Sequence, residues 1–336
     1  MPATLTVRAT EVEQSSTTEP KLPLPDSFES DVLRPGIEPA SYIDDTCGYL
    51  ANRWDPKGSL PGTVVAPVMF HSILEGNGTN EDPSAINKVE FDAIVRQAEK
   101  LGFETITTEE LLAFLQKNAK IPPRSMILIL DDRKPGTAED YFLPVNEEHG
   151  WTTTLAWIAG SDTDQRPGRL AGESLWDWIE RINDTGYFDV QSHGLNHIYL
   201  KDYMSEETVR EEIEGSIPVL KQHFGNTPIA YIWPGGNYTA LGIQIAHEAG
   251  FELGFTIWAR GPLQFNWIPQ GNEFAFNDPL MLLPRFWDTA AVLNLEQTAE
   301  IGDAAQEFAQ ENYAVEAAWF SQNCSGELPP LDQIFK

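Results

Sequence analysis

Met126-Ile-Leu-Ile-Leu-Asp-Asp-Arg133 is the stretch from which the fold is read. A run of apolar residues with no polar interruption is the pattern of a parallel strand covered on both faces. Neighbouring side chains on a strand point to opposite sides, so Asp131 and Asp132 cannot both be idle charges of one surface. Taken alone, a strand ending in a solvated Asp-Asp turn is the simpler reading. Two further stretches repeat the arrangement, however: Gln191-Ser-His-Gly-Leu-Asn-His197 follows an apolar segment, and Ile229-Ala-Tyr-Ile-Trp-Pro-Gly-Gly-Asn237 runs from an apolar strand into a Pro-Gly-Gly loop. Active sites of parallel α/β proteins are built on the loops at the carboxyl ends of strands. Asp-Asp, His-x-x-x-His and Pro-Gly-Gly at three such ends make a metal site the leading expectation.

The rest of the composition narrows the class. The chain has 336 residues, 41% of them hydrophobic, enough for one main domain with terminal extensions. Its 51 acidic and 22 basic residues give a formal charge of −29. That balance excludes a nucleic-acid partner, which needs a basic footprint, and disfavours anionic membranes. It favours a neutral or cationic substrate. No apolar run has the length of a membrane span or an export signal, so no integral membrane segment is expected. Residues 1–40 begin with a Thr-, Ser-, Glu- and Pro-rich segment read as a disordered tether of the kind that follows a removed export signal or anchor. The expected location is therefore extracellular or tethered to the cell surface. Cys47 and Cys324 are either two buried thiols or a pair closing almost the whole domain, the latter fitting an oxidising compartment.

Periodicity supplies the alternation. Strands are expected at 63–70, 103–106, 126–130, 151–158, 187–190, 229–233 and 251–257. Helices are expected at 89–101, from Thr107 or Thr108 to 115, at 138–148, 174–182, 205–224, 239–249 and 293–320, with Gly102 stopping the first. Loops fall at 75–85 and 160–172. Such regular alternation means a parallel sheet or barrel.

Asp131-Asp132, His193-x-x-x-His197, Val68-Met-Phe-His71-Ser-Ile73, Leu101-Gly-Phe-Glu-Thr-Ile-Thr-Thr108 and Trp233-Pro-Gly-Gly236 together resemble the polysaccharide deacetylase superfamily, the carbohydrate esterases of family four. The early strand ending in histidine resembles its branch that deacetylates exopolysaccharide poly-N-acetylglucosamine. The resemblance implies an α/β fold, a distorted, incomplete (β/α) barrel over 63–290. Residues 41–62 would be an N-terminal extension packed on it and 291–336 a C-terminal helical extension. It implies one divalent metal ion, zinc first with cobalt or nickel as alternatives, held by Asp132, His193 and His197. Two imidazoles and a carboxylate leave positions open for a water whose pKa the ion lowers. Asp131 would be the base, and the backbone amide of Gly235 the oxyanion donor.

The sequence also departs from the family's pattern. Arg133 stands where glycine is usual, either crowding the site or pairing with Asp131 to hold it ionised. Position 232 is Ile where the third motif opens with Arg, and Leu282-Leu-Pro-Arg285 lacks the motif's histidine. A guanidinium does not donate its proton near neutral pH, so Arg285 cannot act as the acid. Of six histidines, His193 and His197 are assigned to metal. His149, His223 and His247 fall in or beside helices, which leaves His71 to protonate the leaving nitrogen. Trp233, Arg133 and Arg285 are the expected substrate contacts. The reading is a metal-dependent hydrolase that removes acetyl groups from an N-acetylated amino-sugar polymer or oligosaccharide. A catalytically inactive carbohydrate-binding scaffold on the same barrel and an O-acetyl-xylan esterase are the alternatives.

Overall fold

The computed structural model describes residues 23–24, 26–76, 84–160 and 167–335. Residues 1–22 of the expected tether, 77–83 of the first loop and 161–166 of the second lie outside the described residues. The strands, in chain order, are β1 (Glu38–Ala40), β2 (Val64–Phe70), β3 (Ser72–Leu74), β4 (Ala85–Asn87), β5 (Glu104–Thr105), β6 (Arg124–Asp131), β7 (Thr153–Trp157), β8 (Phe188–Ser192), β9 (Ala230–Ile232), β10 (Leu253–Phe255), β11 (Ile268–Gln270) and β12 (Phe286–Trp287).

The main sheet runs β10-β9-β8-β7-β6-β2-β12, all parallel, with β5 also pairing β6. Every residue of β2 and every residue of β6 after Arg124 is buried, as uninterrupted apolar strands covered on both faces require. The sheet curls until its ends nearly meet. Leu283, just before β12, bridges Phe255 of β10 in parallel, its N–H donating to Gly254 O and its carbonyl accepting from Thr256 N, both at 2.8 Å. One bridge in place of a full ladder makes this a distorted, incomplete (β/α) barrel. Leu283–Trp287 is thereby the staple between β10 and β2.

The helices form where side-chain caps and apolar stripes agree. Lys88–Leu101 begins with a capping box of Asn87 and Glu90 and stops at Gly102, whose φ of 73° suits the left-handed cap. Thr107 and Glu110 cap Thr108–Lys117 in the same way, and Ser174 and Asp177 cap Leu175–Asn183. The single helix expected over 205–224 is two, Glu206–Glu214 and Ser216–Phe224, meeting at Gly215. Pro218 is the reason: it lacks an N–H, which the first turn of a new helix tolerates and a helix interior does not.

Helix Ala291–Asn323 packs against β2 and Lys88–Leu101. It approaches closely through Gly302 and Ala305, and a Cβ on Gly302 would lie 2.9 Å from Gly62 O. A disulfide joins Cys47 to Cys324 across 277 residues, fastening helix Thr46–Arg53 to the end of this long helix. Closing so long a loop restricts the unfolded chain by about 5 kcal/mol in the chain-entropy model. The last part of the segment read as a tether is structured. Phe28 packs on Trp267 and Phe308, and β1 pairs antiparallel with β11. Its aromatic and strand-pairing residues find partners only on distant parts of the chain, a signal absent from local composition. No helix among the described residues is long and apolar enough to cross a membrane.

Candidate active site

Parallel pairing brings the ends of β2, β6, β8, β9 and β12 to one rim of the barrel. Phe70 of β2 is in register with Leu130 of β6, so the residues that follow, His71 and Asp131, stand side by side. Their facing atoms, His71 Nε2 and Asp131 Oδ2, are 3.9 Å apart. β8 ends at Ser192 and hands on directly to His193, whose N–H donates to Trp157 O at the end of β7.

Asp132, His193 and His197 converge, each offering one ligand atom, all within 4.8 Å of one another. Asp132 Oδ1 lies 3.6 Å from His197 Nε2 and 3.9 Å from His193 Nε2. A tetrahedral ion with bonds near 2 Å separates its ligand atoms by roughly 3.3 Å, so small shifts inward would let the three grip one ion. The tautomer is also right. His193 Nδ1 lies 2.8 Å from Ile232 O, an acceptor, so Nδ1 carries the proton and Nε2 presents a lone pair to the cluster. Burial pushes the His193 imidazole well below its ordinary pKa, Asp131 opposing and His197 adding to the effect. Burial also lowers His197, against the pull of Asp132. Neutral imidazoles are the form that binds metal. The residues present therefore fit a divalent ion.

Two of the three residues of this cluster have strained backbone: Asp132 has φ 69° and His197 φ 60°, both left-handed without being glycine. Such conformations cost of order 1–3 kcal/mol each and cluster at functional sites. Exposure splits the group in two. Asp131 and His193 side chains are 2% exposed, whereas Asp132 and His197 are 28% and 29%, so the cluster is reached from the Asp132–His197 side.

The cation hydrogen-bonded to Asp131 comes from far along the chain. Arg285 supplies the guanidinium, its Nη1 donating to Asp131 Oδ1 at 2.6 Å with the Arg285 side chain fully buried. Arg285 Nε donates to Thr256 O at 2.7 Å, so the barrel's staple also aims this side chain. Burial alone would raise the Asp131 carboxyl; Arg285, then His193 and His71, outweigh it and hold the group below the usual carboxylate range.

The expected substrate contacts need correcting. Arg285 is buried against Asp131 and cannot reach a ligand from solvent. Trp233 is also fully buried, its Nε1 donating to Met281 O at 2.8 Å among Tyr231, Ile243 and Phe251. Its large apolar ring has more to gain inside the core than at the rim. Exposed aromatics at the strand ends are instead Tyr199 and Trp258, 48% and 44% accessible. Tyr199 lies edge-on to His197, centroids 5.3 Å apart. Gly235 has φ 58°, and a Cβ there would lie 2.8 Å from the Tyr199 ring, so only glycine fits. Arg133 is half-buried beside the cluster, close enough to oppose a charge on His197. His149, His223 and His247 stay away from it, engaging Glu99, Glu180 and Asp278 respectively.

Asp288 was not singled out from the sequence. It follows Trp287, whose indole is stacked on His71 with centroids 6.1 Å apart. Asp288 is 4% exposed, and Oδ1 accepts from Thr289 N at 2.7 Å while Oδ2 has no partner among the described residues. Burial pushes its carboxyl up to about 7, the Thr289 N–H opposing and the charges of Glu90 and Asp131 adding. The signal was present in Arg285-Phe-Trp-Asp288, a short strand with a charge at each end, but its strand character was not legible.

Comparison with known proteins agrees with the fold that presents this site. The sequence model of the polysaccharide deacetylase family matches residues 118–254. YxkH of Bacillus subtilis (strain 168), named a polysaccharide deacetylase, is 20% identical over 234 residues, 70% of this chain and 76% of its own length. The Streptococcus pyogenes deacetylase PplD, solved in complex with acetate, is 20% identical with a TM-score of 0.56, over 71% of this chain and 99% of its own. IcaB from Ammonifex degensii is 18% identical with a TM-score of 0.52, over 74% and 99%. Those two structural likenesses concern the fold. From β6 to β10 the chain is similar in sequence to the polysaccharide deacetylase family, and its barrel is similar in fold to these deacetylases.

Proposed function

We propose that this protein is a divalent-metal-dependent hydrolase that removes acetyl groups from an N-acetylated amino-sugar polymer or oligosaccharide. The observation that carries the reading is the convergence of Asp132, His193 and His197 beside an ionised, arginine-held Asp131. A divalent ion held there would supply the Lewis acidity that lowers a water's pKa and polarises an acetyl carbonyl. Zinc suits two imidazoles and a carboxylate, with cobalt and nickel as substitutes.

The chain's own residues do the rest. Asp131, kept off the metal set by Arg285, accepts the proton of the attacking water. His71, 3.9 Å from Asp131 Oδ2 at the end of the neighbouring strand, delivers a proton to the leaving nitrogen. The backbone at Gly235, left uncovered by any Cβ, is the candidate donor to the developing oxyanion. Tyr199 and Trp258, rather than the buried Trp233, offer exposed aromatic faces for stacking on sugar rings, and Arg133 borders the entrance.

An inactive carbohydrate-binding scaffold is the second reading, favoured by Arg133 in place of glycine and by the histidine missing from Leu282-Leu-Pro-Arg285. His71 beside Asp131 weighs against it, because it restores an acid from another strand. The disulfide and the acidic surface suit an extracellular or surface-tethered protein acting on acetylated glycan. The test is acetate release from N-acetylglucosamine oligomers by chelator-treated protein before and after zinc is restored. Activity that appears only with zinc supports the reading; no acetate from any acetylated amino sugar in either state favours the scaffold.

A further inference from the structure

The loop that carries both histidines, residues 193–198, has neither helix nor strand to hold it. Its shape is set instead by one buried carboxylate on the following helix. Glu212 is 0% exposed. Its Oε2 accepts from Asn196 N and its Oε1 from Ile198 N, both at 2.9 Å, while its backbone carbonyl accepts from Leu195 N at 2.9 Å. The two amides gripped by the carboxylate are those on either side of His197, the residue whose left-handed backbone is strained. Gly194, with φ 80°, lets the chain pass over the carboxylate, since a Cβ there would collide with Glu212 Oε1.

The other end of the loop is fixed independently. His193 is tied by its own N–H to β7 and by Nδ1 to β9, and Ala159 N donates to Gly194 O at 2.9 Å. Among the described residues no backbone carbonyl ties the His197 ring in this way; its backbone is held on either side. We infer that Glu212 is a positioning residue for the metal ligands: a buried carboxyl group that holds His197 toward Asp132 without touching ion or substrate. This rests on the metal reading above.

Glu212→Gln keeps the volume but offers one acceptor where two are needed, turning an amide N–H toward one backbone N–H. Zinc affinity, read by chelator competition, should fall roughly 10- to 100-fold, the usual effect of losing a group that orients a ligand. Near-ultraviolet circular dichroism and the Tm of the metal-free protein should stay close to wild type. Affinity within twofold of wild type overturns the inference, and so does a parallel loss of metal-free fold, which would make Glu212 a general structural residue. A measurement needing no variant checks the same contacts: in the metal-free wild-type protein the amides of Asn196 and Ile198 should be protected from hydrogen exchange, and rapid exchange of both overturns the clamp. Wild-type protein that binds no zinc at all would instead bring down the metal reading, and this inference with it.

Discussion

Arg285 Nη1 and Asp131 Oδ1 are 2.6 Å apart, two residues separated by 154 positions that meet inside the barrel with the arginine side chain 0% exposed. The contact joins the strand that carries the Asp-Asp pair to the staple that closes the barrel. A buried carboxylate without this cation would be driven to protonate, and a protonated Asp131 cannot accept a proton from water.

Replacing Arg285 with methionine should therefore shift the acidic limb of the pH–rate profile to higher pH. Removing one partner of a buried pair costs about 3–5 kcal/mol, so stability should fall too. Arg285→Lys should recover part of the profile. A depressed carboxyl contributes stability that is present above its unfolded pKa and lost as pH falls through the folded value, so the deficit of the methionine variant should shrink in acid. An unchanged profile in Arg285→Met would detach Asp131's ionisation from Arg285.

Asp131→Asn should keep the metal while turnover falls roughly 100-fold or more, the scale of a lost general base. Metal analysis alongside acetate release separates the outcomes. Lost metal would mean that the two aspartates have exchanged roles, and unchanged turnover would take Asp131 out of the mechanism.

His197→Ala should sharply reduce bound zinc in elemental analysis while circular dichroism stays that of the wild type. His197 is part of the rim and 29% exposed, so the barrel does not need its ring. Full stoichiometric metal in this variant would refute the ligand set.

His71→Ala should retain metal and fold but lose most N-deacetylase activity. Hydrolysis of an activated aryl ester, whose leaving group needs little protonation, should suffer far less. Equal loss on both substrates would indicate a structural role for His71 against Trp287. No loss on either would leave the leaving-group acid elsewhere.

Asp288 predicts an unusual stability profile. Its folded pKa of about 7 lies above the unfolded value of 3.8, so between those limits the folded chain keeps a proton that the unfolded chain has released. The stability this group contributes is full below about pH 4 and is lost as pH rises toward 7, by up to roughly 1.4 kcal/mol per pH unit. Asp288→Asn preserves the Thr289 N–H contact and cannot ionise. Urea unfolding at pH 5 and pH 8 should show a smaller decline in the variant, and parallel curves for the two proteins would refute the raised pKa.

Local chemistry alone determines much of this protein. The apolar run 126–130 determined a doubly covered parallel strand, the helical spacing from Val89 with Gly102 as its stop bounded a helix, and the strand ends pointed to Asp131, Asp132, His193 and His197 as a metal-site candidate, the family resemblance implying which aspartate would be the ligand. These are legible because periodicity, caps and strand-end position depend on neighbours a few residues away. Pro218 carried the break at Gly215 in the same local code, and the long amphipathic pattern around it masked the signal.

Tertiary structure decided the rest. Whether Trp233 faced sugar or core, and which cation met Asp131, turned on how β9, β10 and the staple 283–287 packed together. Arg285 looked like a rim residue because nothing near it in sequence reveals that the barrel closes there. Glu212 reads as one more acid on a charged helix face until the loop before it folds back onto its carboxylate. A buried charge takes its meaning from partners that only the folded chain brings within reach, and the desolvation that makes such contacts matter exists only once the barrel has excluded water.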